Sequence, residues 1–450
     1  MEIDDVVRLA KKEGVQLVEF LYVDNSGIAR GKVTHVDHLK GRMISGIGLT
    51  PAMMAMNVFD HLQPIPEMTA VGEVRLMPDP ESFRVLPYHP KVAAVMCDQI
   101  SLNHEPWAAC PRSFLKSIIR QAENMGITVR ATYEDEFTLA RLNEEGKHVP
   151  IDESLCFSAA GMVAGNPVIL DIVSALKDQG IQPEQYYPEL GFGQHELSIS
   201  ATDLLTAADN QVIFRETVKA IARQHGIIAS FAPKPFVDQA GNGGHIHFSI
   251  WDKESSKNLF WDADDPLKLS EIGYQFAAGV LHHLKGLVAL TCASVNSYRR
   301  LQPGSWSSAY AAFGKDNREA ALRIASTFWG NEEKSMNIEL KASDSTANPY
   351  LALGAMIASG LDGVKNKWHP GDYVDVDPGT LTDEERARLG IKKLPSSLLE
   401  ALEALRTDSF FADTLGDLLF RSYTAVKKSE YDMFARHDVP FELNYHFAKY

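Results

Sequence analysis

Apolar positions along this chain switch between helical spacing and strand alternation, and the switches mark out its elements. Ile3, Val6, Val7 and Ala10 recur at helical spacing over residues 2–14 and the run ends at Gly14, which predicts a short amphipathic helix. Val15–Val23 then reads as a strand, Asp24-Asn25-Ser26-Gly27 as a tight turn and Ile28–Val33 as the returning strand of a hairpin. Short strands are expected at Val71–Met77 and Lys91–Cys97, with Gly46–Met56 a loop followed by an apolar helical turn. Roughly the first 100 residues thus predict a small, strand-rich domain.

The stretch Ser101–Cys110 is the expected boundary, after which Pro111 opens a helix running through Leu115, Ile118 and Ile119 to Gly126. Strands are expected at 129–142, 190–200, 227–235, 244–251 and 335–342. Long helices are expected at 203–225 behind Asp203, at 270–290 behind Ser270 and at 349–363 behind Asn348-Pro349. The tail Leu381–Tyr450 is charged and helix-rich. The pattern predicts an α+β chain in two unequal domains, residues 1–104 and 105–450.

The strands of the second domain carry the chemistry. A period of two puts Glu134 and Glu136 on one face of their strand, where two carboxylates repel unless cations lie between them or one is protonated. An isolated pair of this kind is ordinarily just a solvated face. In Pro188–Glu196, Glu189 and Glu196 stand seven apart, and Gly191 and Gly193 permit the bend that aims both at one point. Gly241–Ile250 joins a glycine-rich turn to a strand with His245, His247 and Ser249 on one face and Ile246, Phe248 and Ile250 on the other. Met336–Ala342 repeats the device with Glu339 and Lys341, behind an arginine set of Arg299, Arg300, Arg318 and Arg323.

Five glutamates with an imidazole favour hard cations, Mg²⁺ or Mn²⁺, over zinc. Two such ions with arginines suit a nucleoside triphosphate and a second anion. The chain lacks a P-loop, so a nucleotide site has to be of another kind. The balance of 44 basic against 59 acidic residues, a net charge of −15, argues against a nucleic-acid or anionic-membrane partner. Four scattered cysteines without a close pair suit a reducing cytoplasm, each buried as a small apolar group. Glu2, Asp4 and Asp5 stand where a signal peptide needs positive charge, and no run of about 18 apolar residues is evident. A cytoplasmic protein is expected.

The order of these segments resembles the glutamine synthetase family over nearly the whole chain. The resemblance rests on VDNSGIARGK (23–32), YEDEF (133–137), PELGFGQHE (188–196), APKPFVDQAGNGGHIHFS (232–249), NSYRRLQPGS (296–305), NREAALRI (317–324) and IELKASDSTANPYLA (338–352). It implies a β-grasp N-terminal domain, a catalytic domain whose antiparallel sheet forms a metal-lined funnel, and a homo-oligomer of two stacked hexamers. By position, Glu136, Glu189 and Glu196 would hold one metal and Glu134, His245 and Glu339 the other. His247, Ser249 and Glu184 would lie near ATP, Arg318 and Arg323 would face its phosphates, Arg300 would grip the α-carboxylate of glutamate, and Gly241 would meet its amino group.

The pattern breaks at the ammonia site. Thr50 and Trp306 stand where the family has its two ammonium-binding carboxylates, while Ala240 and Lys341 replace an Asn and an Arg of the glutamate site. The expected reaction is ATP-dependent formation of a γ-glutamyl amide through γ-glutamyl phosphate, with an alkyl or aromatic amine as nucleophile. The alternatives are an ordinary glutamine synthetase and a non-catalytic structural or regulatory relative.

Overall fold

The structure, a computed structural model, describes residues 1–450. Its N-terminal part is a six-stranded sheet of β1 (Leu17–Val23), β2 (Ala29–His35), β3 (Ile47–Leu49), β4 (Val74–Pro78), β5 (Arg84–Val85) and β6 (Val92–Ser101). The order is β2-β1-β6-β4-β3, with β5 beside β6. β1 runs antiparallel to β2 and parallel to β6, and the helix Ile3–Lys12 lays Val6 and Ala10 onto Val15, Val18 and Phe20. The segment expected as a loop before Thr50 pairs instead as β3, followed by a 3₁₀ turn over Pro51–Ala55.

The hairpin turn is no solvent-facing turn. Asp24, Asn25 and Ser26 are fully buried. Asn25 Nδ2 donates to Ser422 Oγ at 3.1 Å, Asn348 Nδ2 donates to the Asp24 carbonyl at 3.0 Å, and the Tyr450 hydroxyl donates to the Ser26 carbonyl at 2.8 Å. These buried polar groups therefore plug the N-terminal sheet into the rest of the chain through hydrogen bonds to Ser422, Asn348 and Tyr450.

The second sheet has ten strands. They are β7 (Ile127–Leu142), β8 (His148–Pro150), β9 (Pro183–Pro188), β10 (Gln194–Ile199), β11 (Thr202–Asp203), β12 (Ile228–Ser230), β13 (Gly244–Asp252), β14 (Phe313–Lys315), β15 (Leu322–Ile324) and β16 (Ile338–Leu340). The main path is β14-β15-β16-β13-β7-β10-β9, with β8, β11 and β12 also on the long strand β7. Every pairing is antiparallel except β14 with β15. The strands expected at 227–235 and 335–342 are shorter than the apolar pattern suggested, spanning only β12 and β16.

One face of this sheet is apolar and packs on helices. Ile246, Phe248 and Ile250 meet Phe276, Val280 and Leu284 of the helix Glu271–Thr291 in the largest core, with Leu353 and Met356 of Pro349–Asn366. Asp203, Ser270 and Asn348 cap their helices as expected. The two long helices touch where Gly279 faces Ser359 and Gly363: a Cβ at Gly279 would overlap the Ser359 carbonyl oxygen and come within 2.7 Å of Gly363 N. Gly279→Ala is therefore expected to lower stability by about 1–3 kcal/mol or more, as overpacking does, read as a shift in the denaturant midpoint.

The helix Ala159–Asp178 is not marked by a regular apolar pattern, because Gly161, Gly165 and Pro167 interrupt it. By length and composition it is apolar enough to cross a membrane, contrary to the expectation that no such run exists. Its Val168, Ile169, Ile172 and Leu176 pack against Phe214, Val218 and Ile221 in the second core. Cys97, Cys110 and Cys292 are buried as expected; Cys156 is not, and its place is described below.

Candidate active site

The other face of the ten-stranded sheet lines one cavity of about 1700 Å³. Strand register does the assembling. Glu136 on β7 stands directly opposite Glu196 on β10, Glu134 opposite His245 on β13, and His247 opposite Glu339 on β16, which in turn faces Arg323 on β15. Glu189 closes the β9–β10 hairpin, where Glu189 N donates to the Gln194 carbonyl at 2.8 Å and Gly193 takes a left-handed φ of 63°. Two carboxylates an odd number of residues apart thereby reach one cavity.

Of the residues singled out above, Glu134, Glu136, Glu184, Glu189, Glu196, Gly241, His245, His247, Ser249, Arg300, Trp306, Arg318, Arg323, Glu339 and Lys341 all border this space. Thr50 does not: it lies in the N-terminal sheet region, its hydroxyl donating to the Thr69 carbonyl at 3.0 Å. Arg299 also stays outside, paired with Glu442 at 2.7 Å.

The charges fall into two groups. Burial together with Glu136 raises Glu189 to about 7, and burial together with Glu134 and Glu136 pushes Glu196 well above the ordinary carboxylate range. Glu136 accepts from Gln194 Nε2 at 2.8 Å and from Gly243 N at 2.9 Å. In the second group burial is outweighed: His245 and His247 hold Glu134 low, and Lys341, the two histidines and Arg323 hold Glu339 low.

The two imidazoles are set differently. His247 Nδ1 lies 2.9 Å from Asn337 Oδ1, so that its Nε2 faces Glu134 at 3.3 Å. Arg300 Nη2 donates to His245 Nε2 at 2.9 Å, which puts the proton of a neutral His245 on Nδ1, 3.2 Å from Glu339. The ligand atoms that gather within 4.8 Å of one another are those of Glu134, His247 and Glu339. The resemblance puts His245 on this metal, and its Nδ1 lies 3.7 Å from Glu134 and 3.2 Å from Glu339, against 3.3 Å and 3.8 Å for His247 Nε2. A hydrogen bond that frees Nε2 of a histidine is the usual preparation for a metal ligand.

Several residues in or next to the wall carried no signal of a site in the sequence. Cys156 Sγ lies 3.9 Å from Glu189 Oε2, and burial with the charge of Glu189 raises its thiol to about 11. Phe157, Met162 and Leu190 are exposed large apolar side chains bordering the cavity, as is Trp306 at 54% exposure. Phe157 packs edge-on against Tyr187, whose hydroxyl donates to Glu196.

The description of the glutamine synthetase catalytic domain matches residues 108–446, and that of the glutamine synthetase N-terminal domain matches residues 1–107. The chain belongs to the glutamine synthetase family.

It is 35% identical over 421 residues to a gamma-glutamylpolyamine synthetase of Streptomyces coelicolor, covering 93% of this chain and 90% of that protein. It is 33% identical over 448 residues to a glutamine synthetase of Methanosarcina mazei, covering 98% and 96%. Among solved structures it is similar to a novel glutamine synthase homolog (TM-score 0.86, 32% identity, 97% of this chain and 99% of that one). A GmaS–ADP complex follows at TM-score 0.85 and 29% identity, covering 98% of each chain. As a glutamine synthetase-family member the chain is an ATP-dependent carbon–nitrogen ligase, from a family that uses divalent metals and joins glutamate to ammonia or an amine. The α+β architecture of a small mixed-sheet domain and a larger sheet-and-helix domain is that family's fold.

Proposed function

We propose that this enzyme joins glutamate to an organic amine, alkyl or aromatic, rather than to ammonia, through γ-glutamyl phosphate. The observation that carries this is the cavity wall: Trp306, which the resemblance matches to one of the family's ammonium-binding carboxylates, borders the cavity half-exposed, and Phe157 and Leu190 offer further apolar surface beside Glu189. An ammonium ion needs anionic groups to strip its hydration and take its proton; an amine with an apolar body gains instead from burying that body.

The donor set fits hard divalent cations, because burial with Glu136 holds Glu189, and burial with Glu134 and Glu136 holds Glu196, above the ordinary carboxylate range, and neither forms an ion pair within the chain. Glu136, Glu189 and Glu196 would hold one Mg²⁺ or Mn²⁺; Glu134, His245 and Glu339, with the Nε2 of His247 alongside, would hold the second. When bound, these ions neutralise the phosphates and spread the charge of the transferring phosphoryl group. Arg318, which is exposed in the cavity without an ion pair, and Arg323 orient the phosphates, with Glu184, His247 and Ser249 toward the nucleoside. Arg300 takes the α-carboxylate of glutamate, the Gly241 backbone its amino group, and Lys341 lies beside the acid. A γ-carboxylate oxygen attacks the γ-phosphorus and ADP leaves; the amine nitrogen then adds to the acyl carbon, phosphate leaves and the nitrogen gives up a proton.

The same proposal takes the chain to divide at residue 104, to work in the cytoplasm and to assemble as two stacked hexamers. Thr50, remote from its own cavity, can act in such an assembly only at a neighbour's. The second reading, glutamine synthetase proper, draws on the Methanosarcina relative. Phosphate release with glutamate and a panel of ammonium, alkylamines, arylalkylamines and diamines separates the two, and kcat/KM highest for ammonium would contradict the first. Trp306→Glu is expected to move the ratio of kcat/KM for ammonium over that for an arylalkylamine up by about tenfold, the size of one lost apolar contact set.

A further inference from the structure

The segment 302–308, which carries Trp306, holds itself in an awkward shape. Trp306 has a φ of +52° and Ser308 a φ of +68°, both in the left-handed region that side chains other than glycine avoid. A short loop with a half-exposed indole and two such residues does not keep that shape unaided. They are tied to two consecutive residues, one each. Trp306 N donates to Glu319 Oε1 at 2.7 Å, and Ser308 Oγ donates to the Ala320 carbonyl at 2.9 Å.

Glu319 is built for this. It is 7% exposed, and its other carboxylate oxygen has no hydrogen-bond partner in the chain. Its backbone N–H is fixed by Asn317 Oδ1 at 3.1 Å, and Asn317 Nδ2 in turn reaches the Val374 and Val376 carbonyls at 2.9 Å each. The preceding residue, Arg318, borders the cavity. One anchored turn therefore presents an arginine to the phosphate side and a latch to the amine side. A carboxylate accepting a backbone N–H makes a charge-assisted hydrogen bond, stronger than the neutral contacts elsewhere in the loop.

We propose that Glu319 is a positioning residue for the ligase reaction: its carboxylate latches the Trp306 backbone and holds the indole as a wall of the amine pocket, so that amines are selected and water is kept from the acyl phosphate. The inference rests on the reading of the site as a γ-glutamyl amide ligase. When the latch is lost, water adds to the acyl carbon in place of the amine, phosphate leaves and glutamate is regenerated, so the net reaction is hydrolysis of ATP to ADP and phosphate.

The test uses the full-length enzyme with Glu319→Ala and Glu319→Gln. Three quantities are followed: amine-independent ATP hydrolysis in the presence of glutamate, the kinetics with benzylamine, and amide hydrogen exchange of residues 302–308. Glu319→Ala should raise amine-independent hydrolysis relative to amide formation by about tenfold, raise KM for benzylamine by a similar factor, and speed exchange in the loop, the effect of losing one charge-assisted hydrogen bond. KM for ATP and for glutamate should stay within about twofold, because those ligands do not touch the latch. Glu319→Gln keeps an acceptor and should show the same changes at about a third of the size. Partitioning and exchange unchanged in both variants would overturn the proposal. If the alanine variant does not fold, the glutamine variant carries the test, with wild-type behaviour again the contrary result. A wild-type enzyme that makes no amide from any organic amine would refute the proposed function, and loop exchange would still decide the latch.

Discussion

Glu196→Gln should cost the enzyme at least about a thousandfold in kcat/KM while raising the melting temperature of the metal-free protein at pH 8. The two effects come from one cause. Glu196 is buried opposite Glu136, with Glu134 and Glu189 close enough to be felt, and burial and those charges push its carboxyl well above the ordinary range. At high pH the unfolded chain carries an ionised Glu196 while the folded chain resists ionising it, so folding is penalised. Below the unfolded value near 4.5 both states are protonated and the penalty vanishes. The stabilisation by Gln should therefore be absent near pH 4.5, grow as the pH rises, and shrink when saturating Mg²⁺ or Mn²⁺ is present. Thermal unfolding of both proteins with and without chelator reads the stability, and coupled phosphate release reads the activity.

Arg300→Lys should raise KM for glutamate by about a hundredfold with KM for ATP little changed. Arg300 is 4% exposed and has no carboxylate partner within the chain; its guanidinium meets only His245 Nε2 at 2.9 Å and carbonyls of the 341–343 segment, with Ser343 at 3.0 Å. A buried guanidinium without a counter-ion is a site waiting for an anion. Its stem packs over Gly241, where a Cβ would come within 3.1 Å of Arg300 Cγ, so the fork is held at the floor of the cavity. Lysine keeps the charge and loses the bidentate geometry. Steady-state kinetics in each substrate check the split.

Much of this site could be read from alternation alone. His245, His247 and Ser249 on one face of β13, and Ile246, Phe248 and Ile250 on the other, follow from a period of two in a strand that buries one side. The pairings between strands follow only from register: nothing within either segment shows that Glu136 stands opposite Glu196 or His247 opposite Glu339. The Asp24–Gly27 turn forms as expected, but its burial could not be read locally, because its partners Ser422, Asn348 and Tyr450 lie hundreds of positions away. Phe157 and Leu190 lie in irregular segments and have no periodicity to betray them. Glu319 is one acidic residue in a turn, and only the left-handed loop that it ties shows what it is for.

The most direct measurement is product analysis by mass spectrometry from one reaction holding ATP, Mg²⁺, glutamate labelled with heavy oxygen in its γ-carboxylate, and equal concentrations of ammonium and benzylamine. The account predicts γ-glutamylbenzylamide as the main product, with the released phosphate carrying one labelled oxygen. Glutamine as the main product, or phosphate without label, would contradict it.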